Sequence, residues 1–169
     1  YYNYVLSKRP KHVPTISKKA DILLSAKQYI PVINMSREYL KEDPDNMTIL
    51  PIYGLALHLQ GNYPLSLEQF EHQRKLGDDS YAVHYYLGLN HYMMNKWPRA
   101  IEELEKAYQI DSSDVTLVYQ LANAKSHITI MKSMESSGLN PESERLYAKA
   151  LEMLQPSPTI LHNIYGSMA

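Results

Sequence analysis

The chain has 169 residues, 44% of them hydrophobic, with a formal net charge of -1 and a mean hydropathy of -0.40, enough for one compact domain or a short helical array. The near balance of 17 basic and 18 acidic residues, with no long basic run, argues against nucleic acid or an anionic membrane as the main partner. The absence of cysteine excludes disulfides and thiolate metal sites, and no apolar run reaches the ~18 residues that would insert through a bilayer.

The governing signal is a period of 34. Gly54 and Gly88 stand 34 residues apart, and at that offset Tyr63-Pro64 falls on Trp97-Pro98, Ser66 on Ala100 and Phe70 on Leu104. Pro10 and Pro44 keep the same spacing. A fixed period carrying helical spacing is the signature of stacked helix pairs, so the fold expected is all-α.

Residues 1–12 read as the end of an upstream repeat, closed by Pro10. Residues 13–46 form a degenerate unit in which Ala20, Val32 and Pro44 fit the pattern while Lys19 and Ser36 do not. Residues 47–80 and 81–114 are the regular units. Each carries a glycine at frame position 8, Gly54 or Gly88. Each has Gly61 or Asn95 at position 15, residue types that tolerate the left-handed conformation ending a helix. Pro64 and Pro98 then open the second helix, where a missing N–H costs nothing. In 47–80, Gln73 stands where a small residue is wanted.

Residues 115–158 break the period. Leu121-Ala122 takes positions 7 and 8, but the second-helix residues Ser143, Tyr147 and Ala150 arrive after an insertion of 9 residues. Ile128, Ile130, Met131 and Met134 extend the first helix, so one long helix is expected over about 114–135, with Gly138 as its stop. Residues 159–169 begin a further first helix, with Tyr165-Gly166 at positions 7 and 8.

On these residues the chain resembles a tetratricopeptide repeat (TPR) protein, of bacterial type. Residues 81–114 supply the pattern as Leu87, Gly88, Ala100, Leu104 and Ala107, with Ser112 in place of the usual proline. Residues 47–80 supply Tyr53, Gly54, Ser66 and Phe70. The resemblance implies a right-handed superhelix of antiparallel helix pairs, a TPR-like α-α solenoid. It also implies a concave groove built from the first helices at positions 2, 5, 9, 12 and 13. Carried over, the groove residues are His58, Tyr85, Tyr92, Met93, Tyr119, Asn123 and His127, an aromatic and Met-rich stripe with almost no charge. Such side chains suit an extended peptide or partner helix held by apolar anchors. Leu55 and Leu89, also on the stripe, are read as self-packing. TPR domains that grip acidic chaperone tails carry a basic residue at position 5 and asparagine at 9. Here position 5 is Ser17, Pro51, Tyr85 and Tyr119, and only Asn123 matches at 9, which argues against that clamp.

No catalytic constellation, glycine-rich phosphate loop or metal-binding signature is present, and no cofactor is expected. His84 and His91 share a helix face but lie about 10 Å apart along its axis, so both read as packing residues. The adjacent pair Glu102-Glu103 reads as solvated charge on a helix face. The expected function is a non-catalytic scaffold for a protein or peptide. The alternatives are an accessory repeat region of a larger enzyme or envelope assembly, or a homodimerisation module using Ile130, Met131 and Met134. The start at Tyr1 reads as truncated or processed, which favours the bacterial periplasm or envelope over the cytoplasm.

Overall fold

The computed structural model describes residues 2–8, 12–132 and 141–153. The expected helix stop at Gly138, the contact residue Met134 and the further unit at 159–169 with Gly166 lie outside the described residues. The described residues are helical apart from short connections, and the chain divides into two compact units, Tyr1–Asp79 and Ser80–Ala169.

Unit 1 contains α1 (Tyr2–Lys8), α2 (Val13–Ser25), α3 (Tyr29–Leu40), α4 (Ile49–Leu59) and α5 (Tyr63–Lys75). Neighbours in sequence pack on one another, as short connections require. Ala20, Val32, Ile33, Tyr53, Ala56 and Leu57 form its core. The buried residues Ile16 and Ala20 of α2, Val32, Ile33 and Ser36 of α3, and Ile49, Leu50, Tyr53, Gly54, Ala56 and Leu57 of α4 recur at helical spacing, which places them on one buried stripe of each helix.

The α4–α5 pair shows why a glycine recurs in mid-helix. A Cβ on Gly54 would lie 2.8 Å from the Phe70 ring, so the aromatic ring occupies the space a side chain would take. The Gly54 carbonyl accepts a hydrogen bond from Ser66 Oγ at 2.8 Å, which ties the two helices at their closest approach. Asn62 caps α5 by accepting from the Leu65 amide at 3.4 Å. Gln73, out of pattern at a small-residue position, is buried, and its amide donates to the Gln69 carbonyl at 3.3 Å.

Unit 2 contains α6 (Tyr81–Met93), α7 (Trp97–Ile110), α8 (Val115–Lys132) and α9 (Pro141–Met153). Its core joins Leu104, Ala107, Leu117, Leu121 and Ala124, with Ala122 and Tyr147 between α8 and α9. The close approach is repeated: a Cβ on Gly88 would lie 2.7 Å from Leu104 Cγ and 3.1 Å from the Leu104 backbone nitrogen. The α8 helix has 18 residues against 13 for α6, so it runs past the length of an ordinary first helix.

The first helices α2, α4 and α6 end in the same way. Gly61 and Asn95 adopt left-handed φ values of 89° and 58°. Lys27, at the equivalent position after α2, does so too, with φ 56°. The carbonyls released at the ends of α2, α4 and α6 are taken by turn amides: Gln28 N donates to Leu23 O, Asn62 N to Leu57 O and Lys96 N to His91 O. A residue past the cap thus reaches back to the helix, as in a Schellman turn.

Candidate interaction surface

The α6 and α8 helices of unit 2 carry six of the seven groove residues expected from sequence. Tyr85, Tyr92 and Met93 come from α6, and Tyr119, Asn123 and His127 from α8. His58 belongs to α4 of unit 1, where it is half-buried with its ring edge-on to Tyr63 at 5.5 Å.

At the start of α6 the rings of Tyr81 and Tyr85 stack at 5.6 Å, and Tyr86 meets Tyr85 edge-on at 5.3 Å. The Tyr81 hydroxyl donates to Asp114 Oδ2 at 2.6 Å, while Asp114 Oδ1 accepts from the Thr116 and Leu117 amides at 2.8 and 3.2 Å. Asp114 therefore caps α8 and anchors the first residue of α6 at once. Burial, then the negative charge of Asp114, pushes the Tyr85 phenol up to about 12. The same causes raise Tyr86, and for Tyr81 the hydrogen bond to Asp114 adds to burial.

At the other end of α6 lies a second aromatic group. Tyr92 meets Trp97 edge-on at 5.0 Å, and His127 stacks flat on Trp97 at 4.2 Å with 10° between the planes. Tyr92 and His127 are themselves 6.1 Å apart, edge to face. Beside this trio Met93 is 47% exposed, a large apolar side chain left to solvent. Trp97, not among the expected groove residues because it opens a second helix rather than sitting in a first one, thus packs against two of them, Tyr92 and His127.

Other expected residues are already engaged. The Tyr147 hydroxyl of α9 donates to Asn123 Oδ1 at 2.5 Å and lies 3.4 Å from Ser126 Oγ. Tyr119 packs beside the Tyr147 ring at 6.1 Å. Leu89 and Tyr85 are half-buried against the core of the unit. Of Ile130 and Met131, placed in α8, the side chains are outside the described residues.

The polar residues correct one expectation. Glu102 is exposed, but Glu103 is buried: His84 Nδ1 lies 2.7 Å from Glu103 Oε2, and Lys106 Nζ lies 3.1 Å from Oε1. Glu103 faces inward because it falls one turn before Ala107 on the buried stripe of α7. His84 and Glu103 are 19 residues apart in sequence, on facing helices, a juxtaposition that adjacency to Glu102 conceals. Lys125 of α8 is also buried and reaches Glu105 of α7 at 2.6 Å and Glu142 of α9 at 2.5 Å. Burial pulls its ammonium pKa down, yet the bonds to Glu105 and Glu142 outweigh it and raise the pKa above the ordinary lysine value. Among the described residues no group of three or more His, Cys, Asp or Glu is placed to hold a metal ion, and no helix is long and apolar enough to cross a membrane.

Helix pairs of this length, with a glycine at the closest approach and a left-handed residue between the two helices, define a tetratricopeptide-repeat fold. Residues 81–114, which hold α6 and α7, match the tetratricopeptide repeat family model. It is similar to the DnaJ homolog subfamily C member 7 homolog of Dictyostelium discoideum, 40% identical over 53 residues. That match spans 31% of this chain and only 10% of the length of that relative. Among solved structures, a MamA from Desulfovibrio magneticus RS-1 superimposes with a TM-score of 0.76 at 16% identity, covering 90% of this chain and 81% of that one. YrrB, a TPR protein with an unusual peptide-binding site, gives 0.73 at 14% identity, covering 99% of this chain and 81% of that one. At such identities the likeness is one of fold.

Proposed function

We propose that this chain is a non-catalytic protein-interaction scaffold, and that the first-helix face of unit 2 binds a short peptide or partner helix. The observation that carries this reading is Met93, exposed next in sequence to Tyr92 of the Tyr92–Trp97–His127 group, none of which is an acidic or strongly basic residue. Aromatic and methionine side chains adapt to apolar anchors and lose little conformational freedom on binding. The fold, and the peptide-binding site of the structurally similar YrrB, support the reading.

Trp97 is the only tryptophan in the sequence, so its fluorescence reports on this face alone. Peptides selected from a display library on the intact chain are expected to shift Trp97 emission. Introducing Met93→Asp with His127→Asp is expected to weaken them at least about tenfold, because charge at the centre of an apolar contact costs more than ~1.4 kcal/mol. Both residues are exposed, so the far-ultraviolet circular dichroism and melting temperature serve as the folding control. Unchanged affinity in the folded double variant would exclude this face.

A second reading is favoured by the extra length of α8, 18 residues against 13 for α6. The extension carrying Ile130 and Met131 would then meet its counterpart in a second copy. Sedimentation that stays monomeric at high concentration removes it.

A further inference from the structure

A second concavity lies in unit 2, away from the Trp97 group. It encloses about 490 Å³ and is lined by Tyr108 of α7 and by Glu142, Arg145, Leu146 and Lys149 of α9. Positions 142, 145, 146 and 149 are spaced so that they share one face of α9. The volume is within the range of about 300–1,000 Å³ typical of small-molecule sites.

The charges in this cavity are arranged unequally. Glu142 is engaged by buried Lys125 at 2.5 Å, and Lys125 also takes Glu105 at 2.6 Å. One Glu142 oxygen is thus held by Lys125, and the lining sets the two cations Arg145 and Lys149 against this one carboxylate. Lys149 Nζ donates to the Tyr108 hydroxyl and sits 4.5 Å from the centre of its ring, which fixes the ammonium at the wall and leaves it further N–H donors. Arg145, one turn before Lys149, is exposed, and nothing among the described residues is bonded to its guanidinium. Leu146, half-buried against the unit's core, and the Tyr108 ring supply apolar surface between the two cations.

From this geometry we infer that the α7–α9 cavity binds a carboxylate carried on a short apolar or aromatic body. The planar guanidinium of Arg145 matches both carboxylate oxygens, and the pre-positioned Lys149 adds a second cation at little entropic cost. Leu146 and Tyr108 would cover the apolar body. Two sources offer that chemistry, a free organic acid or the C-terminus of a peptide ending in an apolar residue.

The test is titration of the isotopically labelled 169-residue chain, followed at the backbone amides of Tyr108 and Leu146. The probes are 3-phenylpropionate, a tetrapeptide ending in phenylalanine, the same peptide with its C-terminus amidated, and inorganic phosphate. Saturable shifts at Tyr108 and Leu146 with either carboxylate probe, weakened at least tenfold by Arg145→Gln, are expected. Binding of phenylpropionate without the peptide assigns the site to a free acid. Binding of the peptide but not its amide assigns it to a chain terminus. Absence of saturation with both carboxylates overturns the inference. So does phosphate binding of equal strength, which would mean charge alone, or an unchanged affinity in Arg145→Gln. Lys149→Gln is the second variant and is expected to weaken binding in the same direction. Shifts confined to Trp97 and its neighbours would belong to the first-helix face and would also count against the cavity.

Discussion

Gly88 and Leu104 touch with no room for a methyl group: a Cβ on Gly88 would stand 2.7 Å from Leu104 Cγ and 3.1 Å from the Leu104 backbone nitrogen. Alanine in mid-helix is favoured over glycine by about 1 kcal/mol, whereas overpacking of this kind costs about 1–3 kcal/mol. The backbone nitrogen cannot rotate away, so the clash wins. Gly88→Ala is expected to destabilise unit 2 by up to about 2 kcal/mol in urea unfolding. With Leu104→Ala in the background, the same change should cost clearly less, because the side-chain half of the obstruction is gone and only the 3.1 Å backbone contact remains. Additive effects in that double-mutant cycle would rule out the close approach as the reason for the glycine.

His84 and Glu103 give a second, less visible tie between α6 and α7. Both are buried and 2.7 Å apart, with Lys106 on the other carboxylate oxygen. Removing one partner of a buried hydrogen bond leaves the other unsatisfied, at a cost of about 1–3 kcal/mol. Glu103→Ala should therefore approach that loss, while Glu103→Gln, which keeps a hydrogen-bonding oxygen, should cost clearly less. Equal stability of the two variants, or a loss below about 1 kcal/mol for alanine, would show that Glu103 is no more than a surface residue.

These two ties differ in how far the sequence announces them. Gly88 repeats at a fixed offset from Gly54, and each faces the large residue 16 positions later, so the period itself points to the contact. The left-handed turn at Gly61 and Asn95 is likewise legible, because both residue types favour it. Lys27 makes the same turn without any compositional cue, since the frame and not the side chain sets its backbone. Glu103 and Lys125 are invisible for a different reason. Their charge suggests solvent, and only the packed neighbours His84, Glu105 and Glu142, 17–20 residues away, make burial tolerable. Of the surface residues the frame names, Tyr92 and His127 gather around Trp97, which lies on the next helix and so escapes a first-helix pattern, while Asn123 is already held by Tyr147.

The tyrosines of unit 2 make its stability depend on alkaline pH. Burial raises the phenol pKa of Tyr85 to about 12 and also raises Tyr81, Tyr86, Tyr92 and Tyr147. A raised folded-state value means that the folded protein holds those protons more tightly than the unfolded chain, whose tyrosines ionise near about pH 10. The stabilisation is therefore complete below about pH 10 and is lost as pH rises toward the folded-state values. Tyrosinate absorbance should lag behind that of free tyrosine and then rise together with loss of helical circular dichroism. Tyr85→Phe should flatten the alkaline fall in urea midpoint. A fall of the same steepness in that variant would remove Tyr85 from the explanation.

Lys27 tests the left-handed turn directly. Its φ of 56° matches the 58° of Asn95 and lies on the same side as the 89° of Gly61, all at one position of the repeat. A residue with a Cβ is disfavoured there by about 1–2 kcal/mol, and glycine is not. Part of that gain is offset by the greater freedom of glycine in the unfolded chain, about 0.4–1 kcal/mol. Lys27→Gly should still stabilise unit 1 by about 0.5 kcal/mol, read as slower amide exchange in α2 and α3. Gly61→Ala at the equivalent position should act in the opposite sense and cost about 1 kcal/mol, with no contact nearer than 4.0 Å to confuse the result. Lysine is exposed here, so its charge contributes little to either side. Destabilisation by Lys27→Gly would mean that the backbone at this position does not hold the left-handed conformation in solution, and that the shared turn is not what joins the two helices of each repeat.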